Sequence, residues 1–314
     1  MMTSERNKTF DYYLGIAILL VVLGHFSFPS IIEDKNYQYL HDLIYKFHMP
    51  LFFFLSGLTV SFSIDSKVYD WRFYRLKATK FLKPFIVIVL LYTMRSHFMG
   101  RPLNEITSDV LNIIIMPAKS KVKFLWFIQV LFIFYLITPL LRKVIEWKAE
   151  LAVILVLVIS QFSASYFFSI DLICENLLFF SLPIFIKHYD VHDILTSLKV
   201  NRLLRLVNML ILVAYFSNFS LPKVIHCSVL CFMVWSEVMR KEDYGDYNIF
   251  IEIGRRSYII YLWNIPIINV MYVIWWKFIP DVHHYVFILC TTILCIILCV
   301  MGSNFSVKNI NLKI

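Results

Sequence analysis

Stretches of about 17–22 mainly apolar residues alternate with short polar connections from one end of this chain to the other. They fall at 13–32, 41–62, 81–98, 124–141, 150–167, 170–187, 203–219, 222–239, 257–277 and 284–303. A helix needs about 20 such residues to cross a hydrocarbon core. The pattern therefore predicts an all-α polytopic membrane protein of about ten transmembrane helices. From the fifth stretch to the eighth the segments are short or closely spaced. The longest connection, 96–123, is too small for a soluble domain, and no internal repeat, low-complexity tract or heptad run occurs. The expectation is one integral-membrane domain over residues 1–314. The first apolar run is too long for a secretory signal and has no small-residue cleavage site, so it reads as a helix that stays.

Composition agrees with the pattern. The 314 residues are 60% hydrophobic and 16% charged, against about 45–50% and about 25% in soluble domains. The formal charge of +9 would suggest nucleic acid in a soluble protein. Here its distribution gives another reading. With ten spans and an inside N-terminus, 21 of the 30 Lys and Arg fall on inner segments and nine on outer ones. That bias is the topology signal of a membrane protein, with both termini cytoplasmic and no nucleic-acid partner expected. All six cysteines lie in apolar stretches without Cys/His ligand spacing, so they read as small buried hydrophobes. The His283-His284 pair has no carboxylate or thiol beside it, and no metal site is expected.

Against this background two histidines stand out. Gly24-His25 lies in the first apolar stretch, and Phe47-His48-Met49-Pro50 in the second. Ionisable side chains in hydrocarbon are costly and by default mark function. On consecutive antiparallel spans each lies seven residues from the outer end, or about 10 Å deep, so both can face one cavity open to the outside. Imidazole takes and returns a proton near neutrality, as general-base chemistry requires. Pro50 removes a backbone donor, which needs a receiver for the freed carbonyl. On the inner side, Lys77 and Lys80 share a helix face ahead of the third span. They read either as a phosphate clamp or as an anchor to anionic lipid headgroups. Trp126, in Phe124-Leu-Trp-Phe127, lies where an aromatic belt is expected. Asp171, Glu175 and Asn176 are either cavity-lining polar groups or an interfacial edge.

Phe10-Asp11-Tyr-Tyr-Leu14-Gly15 running on to Gly24-His25, then Phe47-His-Met-Pro-Leu-Phe-Phe-Phe-Leu-Ser-Gly57, resembles the acyltransferase-3 family of integral-membrane O-acyltransferases. Lys77 to Phe85, Leu125-Trp-Phe127 and Ser257-Tyr-Ile-Ile-Tyr-Leu-Trp263 match later landmarks of that family in order. The resemblance implies ten helices and transfer of an acyl group, usually acetyl. The donor substrate would be cytoplasmic acetyl-CoA or another acyl-CoA, with no permanently bound cofactor. The acceptor would be a hydroxyl of an extracytoplasmic or lipid-linked glycan. His25 then corresponds to the catalytic histidine and His48 to a second active-site group. Lys77 and Lys80 stand where the family has an Arg-x-x-Arg pair for the CoA phosphates, keeping the charge and losing the bidentate fork. Trp126, Tyr258 and Tyr261, with Glu175 and Asn264, are candidate acceptor-binding residues. A multi-pass protein of a bacterial inner membrane is the implied location.

Two positions depart from the family pattern. Leu14 stands where an Arg or Lys usually precedes the glycine, and Arg6 and Lys8 are the nearest cations that could substitute. Asn264 ends a Tyr-Leu-x-His pattern, and an amide replaces a hydrogen bond but not a titrating base. These departures keep two other readings open: a transporter of a small solute or glycan, and a catalytically silent relative.

Overall fold

The computed structural model describes residues 7–63, 69–161, 167–216, 222–241, 248–280 and 282–309. Among these the secondary structure is helical without strands: α1 (Lys8–Gly24), α2 (Pro29–Ile32), α3 (Lys35–Ser63), α4 (Trp71–Phe98), α5 (Leu103–Ile115), α6 (Leu125–Ser160), α7 (Ile170–His188), α8 (His192–Thr196), α9 (Leu198–Phe216), α10 (Lys223–Arg240), α11 (Ile249–Arg255), α12 (Ser257–Phe278) and α13 (His284–Asn309). Among the described residues five helical segments are long and apolar enough to cross a membrane: Lys35–Phe62, Leu125–Ser160, Phe167–His188, Ser257–Phe278 and His284–Gly302. The described parts of the other expected spans are mainly helical too, in α1, α4, α9, α10 and the far part of α6.

Several boundaries differ from the hydropathy reading, each for a local reason. The first apolar stretch is not one helix to Ile32. α1 stops at Gly24, and Phe28 is extended (φ −92°, ψ 143°) ahead of Pro29, which opens α2. Proline cannot donate to the preceding turn and pushes its predecessor out of the helical region. α6, at 36 residues, would extend about 54 Å if straight, well beyond a core of about 30 Å. It breaks at Lys148 (φ −153°, ψ 96°), close to where the sequence separates two spans. The outer connection contains α5, a helix not expected from hydropathy.

The chain forms two compact units. The first comprises 1–55 and 191–314, the second 56–190. In the first, α1 packs chiefly on α11, with α12, α13 and α10 also beside it. The closeness of α1 and α11 is set by glycines. A Cβ on Gly15 would overlap the Phe250 carbonyl, and one on Gly254 would overlap the Asp11 carbonyl. Polar groups at this end are paired. Asp11 is fully buried with Arg255 Nε at 3.4 Å. The buried Glu237 accepts from the Tyr13 hydroxyl and from Arg205 Nε at 2.6 Å.

In the second unit, α6 packs on α7 and α4. Gly57 again meets backbone, at the Phe180 carbonyl. α5 is tied down through Asp109, which accepts from Tyr92 at 2.7 Å, Arg101 at 2.6 Å and Lys121 at 2.9 Å. The hydrogen bonds from Tyr92, Lys121 and Arg101 hold its carboxyl well below the usual carboxylate range.

Gly254→Ala must move backbone against backbone, since no flexible side chain is there to yield. We expect a loss of about 1–3 kcal/mol, read as a lower thermal midpoint of the detergent-purified protein. Gly302→Ala, facing open space, leaves the midpoint unchanged. Equal midpoints for the two variants would rule out the glycine contact as a structural requirement.

Candidate functional site

His25 occupies the C-cap of α1, not a place within a continuing helix (φ −91°, ψ 0°). Its own N–H still reaches the Val22 carbonyl, and the Leu23 carbonyl is taken by the Tyr37 hydroxyl at 2.7 Å. The half-buried ring turns to α12, where Nδ1 lies 2.7 Å from Oδ1 of Asn264. Asn264 is fully buried, and its Nδ2 donates to the carbonyls of Ile260 (3.1 Å) and Tyr261 (2.9 Å). Carbonyls only accept, so these two bonds fix which way the amide faces. The oxygen is left for His25, whose Nδ1 must carry the proton, and the Nε2 lone pair becomes the basic one.

His48 arrives at the same tautomer by another route. It is buried in α3, and Nδ1 donates to the Ile44 carbonyl at 2.8 Å, one turn back. Tyr45 lies edge-on to it at 4.8 Å and stacks on His41 at 4.2 Å. Gly24 admits Tyr45 closely, for a Cβ there would stand 3.1 Å from its ring. Charges on His25, Lys223 and His41 are felt at His48. The two histidines singled out from the sequence thus share one electrostatic neighbourhood within the first unit. Pro50 opens the Lys46 carbonyl, and the receiver is the Cys227 thiol of α10, at 3.3 Å.

The other candidates are distributed. Tyr258 and Tyr261 lie in the first turns of α12, half-buried and buried, and Tyr261 supports Asn264 through its carbonyl. Lys77, Lys80, Trp126 and Glu175 belong to the second unit. Lys77 is half-buried with Nζ 3.5 Å over the Tyr135 ring, a seat that suits a cation. Lys80 is exposed, 5.7 Å from the Phe81 ring. The two lysines therefore differ in their surroundings although they share a helix. Trp126 lies edge-on to Phe127 and is half-buried; Glu175 is exposed on α7. Leu14 is half-buried, and Arg6 lies outside the described residues. His283 and His284 stack on each other, and His284 Nε2 lies 3.2 Å from Asp34.

The residues that sequence reasoning missed are the partners. Glu237, an acid inside an apolar stretch, carried the same signal as the histidines and went unread. Tyr45 and Cys227 gave no signal, since a tyrosine or cysteine among apolar residues looks like core.

The chain matches a family model described as Acyltransferase domain over residues 7–301. It is 29% identical over 143 residues to Nodulation protein NolL of Mesorhizobium japonicum, an alignment covering 44% of this chain and 37% of that protein. It is 42% identical over 64 residues to Nodulation protein NolL of Sinorhizobium fredii, covering 19% and 18% respectively. The matched segments span well under half the length of these curated relatives. No solved structure matches.

In protein labelled with ¹⁵N-histidine and held in detergent micelles, the signal lost in His25→Gln should be that of an imidazole protonated at Nδ1. Asn264→Leu removes the acceptor, and this signal should give way to averaging between tautomers. A spectrum unaltered by Asn264→Leu would take the orienting role away from Asn264.

Proposed function

The chain belongs to the acyltransferase-3 family, and from that premise we propose that it is a membrane O-acyltransferase and which reaction it performs. It moves an acyl group, acetyl in the simplest case, from cytoplasmic acyl-CoA to a hydroxyl of an extracytoplasmic or lipid-linked glycan. The observation that carries this reading is the His25–Asn264 hydrogen bond at 2.7 Å. It leaves Nε2 of His25 as an oriented base at the end of α1, where the helix has stopped and a substrate can approach.

In the proposed step His25 Nε2 takes the proton of the acceptor hydroxyl as its oxygen attacks the acyl carbonyl carbon. The new C–O bond forms, the C–S bond of the thioester breaks, and the imidazolium returns the proton to the departing thiolate. Free CoA and an O-acyl glycan result. Asn264 stabilises the imidazolium by accepting from Nδ1 throughout. His48, whose Nε2 is the acceptor left by its bond to Ile44, positions the hydroxyl. Lys77 and Lys80 supply charge for the phosphates of CoA, and Trp126, Tyr258, Tyr261 and Glu175 are acceptor contacts. A bacterial inner membrane suits this division of donor and acceptor.

Asn264 also bears on the silent-relative reading. It is fully buried with three hydrogen bonds, and the one to the candidate base gives that base the orientation the acyl-transfer reading requires.

The test is the O-acetyl content of the producing cell's surface glycan, by proton NMR, with the gene intact, deleted, and restored as His25→Ala. Acetyl signals should vanish on deletion. They should stay absent with His25→Ala despite normal amounts of folded protein. With purified protein and radiolabelled acetyl-CoA, His25→Ala should lower transfer by at least about a hundredfold, as expected for loss of a general base. Acetylation indifferent to all three genotypes would sink the reading.

A further inference from the structure

Away from His25, several buried polar atoms among the described residues of the first unit lack hydrogen-bond partners, and two of them stand beside a cation. Lys46 of α3 holds Nζ 4.2 Å over the ring of Tyr215 from α9. The Tyr215 ring lies 5.1 Å from that of His226 on α10, which in turn faces Phe47 at 5.8 Å. Tyr215 is 4% exposed and His226 2%. Among the described residues nothing hydrogen-bonds the Tyr215 hydroxyl or Nδ1 of His226. Nor does any described carboxylate lie within ion-pair distance of Lys46.

The backbones around these side chains are fixed by other means. The Tyr39 hydroxyl donates to the Tyr215 carbonyl, and the Cys227 thiol to the Lys46 carbonyl at 3.3 Å. Three helices are therefore pinned together around a cation, a phenol and an imidazole, with the phenol oxygen and imidazole Nδ1 lacking a hydrogen-bond partner among the described residues. Buried polar groups are ordinarily satisfied, and two orphans side by side call for an explanation. An ammonium, an O–H and an imidazole N–H are all donors, and the group that would satisfy the three at once is an anion with several oxygens.

We propose that Lys46, Tyr215 and His226 form a binding site for an anionic oxyacid group of the acceptor, either a sugar carboxylate or a sugar phosphate. The assignment to the acceptor rests on the acyl-transfer reading; the anion site itself does not. Phe47, whose ring faces His226 at 5.8 Å, immediately precedes His48 on α3, and the charge of Lys223, one turn before His226, is felt at His48. An acceptor anchored here by its acid group keeps its hydroxyls beside the histidine cluster.

The experiment is thermal unfolding of the full chain in detergent, at constant ionic strength, with D-glucuronic acid, D-glucose 1-phosphate or D-glucose. At least one acid should raise the midpoint in a saturable way while glucose does not. A response to glucuronic acid assigns the carboxylate source, and one to glucose 1-phosphate the phosphate source. Lys46→Met should weaken the response at least tenfold, and Lys46→Arg should preserve it. Tyr215→Phe removes only the unpartnered hydroxyl and serves if Lys46→Met does not fold. If neither acid exceeds glucose, or if the response survives both Lys46→Met and Tyr215→Phe, the site is refuted. No acyl transfer is read, so acid binding by a protein that transfers nothing would uphold the anion site and defeat the reaction proposed above.

Discussion

The backbone contact between α1 and α11 sets the register of the histidine site. Gly254 lies against Asp11 and the Gly15 amide, closer than any Cβ would permit. From that contact His25 is ten residues up α1 from Gly15, and Asn264 is ten residues on from Gly254. Ten helical residues rise about 15 Å, so two segments starting level arrive level. α12 starts immediately after α11, with Arg256 alone between them. The 2.7 Å bond between His25 and Asn264 is thus the far end of a ruler whose zero is a pair of glycines. A residue with a side chain at that zero would shift one helix against the other, and a hydrogen bond tolerates a few tenths of an ångström at most.

The same arrangement explains why so many polar groups survive among apolar helices. With no water in a hydrocarbon core, each must find a partner in the protein. At the glycine end Asp11 and Glu237 are met by arginines and a tyrosine. At the histidine end the partners are an amide and a backbone carbonyl, which are neutral. That difference in partners matters. Arginines and a tyrosine meet the acids, while neutral acceptors take Nδ1 of each imidazole and leave Nε2 as the acceptor nitrogen.

Much of this was legible in the sequence, and the illegible part has a common cause. Apolar runs fixed the helical character and the approximate spans, because burial in lipid or protein demands the same composition. The motif around His25 and His48 singled out the candidate site for the reason that ionisable groups in such runs are rare. What hydropathy does not record is direction or partnership. It joined Tyr13 to Ile32 into one span, although Pro29 was present to forbid it, because leucine-rich sums outweigh one proline. It gave no hint of α5, whose apolar residues are interspersed with polar ones. It treated Lys77 and Lys80 as equivalent by spacing, whereas Tyr135, 55 or more residues later in the chain, distinguishes them.

Asn264 shows most clearly what residue type alone leaves out. Counted by residue type, an asparagine in place of histidine is the loss of a titrating group. Placed in the structure, it is an amide locked by two carbonyls so that only its oxygen can meet His25. A second histidine there could itself take the proton, and the pair would share one titration between two sites. An amide cannot. Its oxygen can accept from Nδ1 in either protonation state of His25, so in the proposed step the proton is exchanged at Nε2 alone. The substitution exchanges a second base for a fixed tautomer, and whether that costs activity depends on which of the two the chemistry needs. A single proton moved between hydroxyl and thiolate needs only one base, held still.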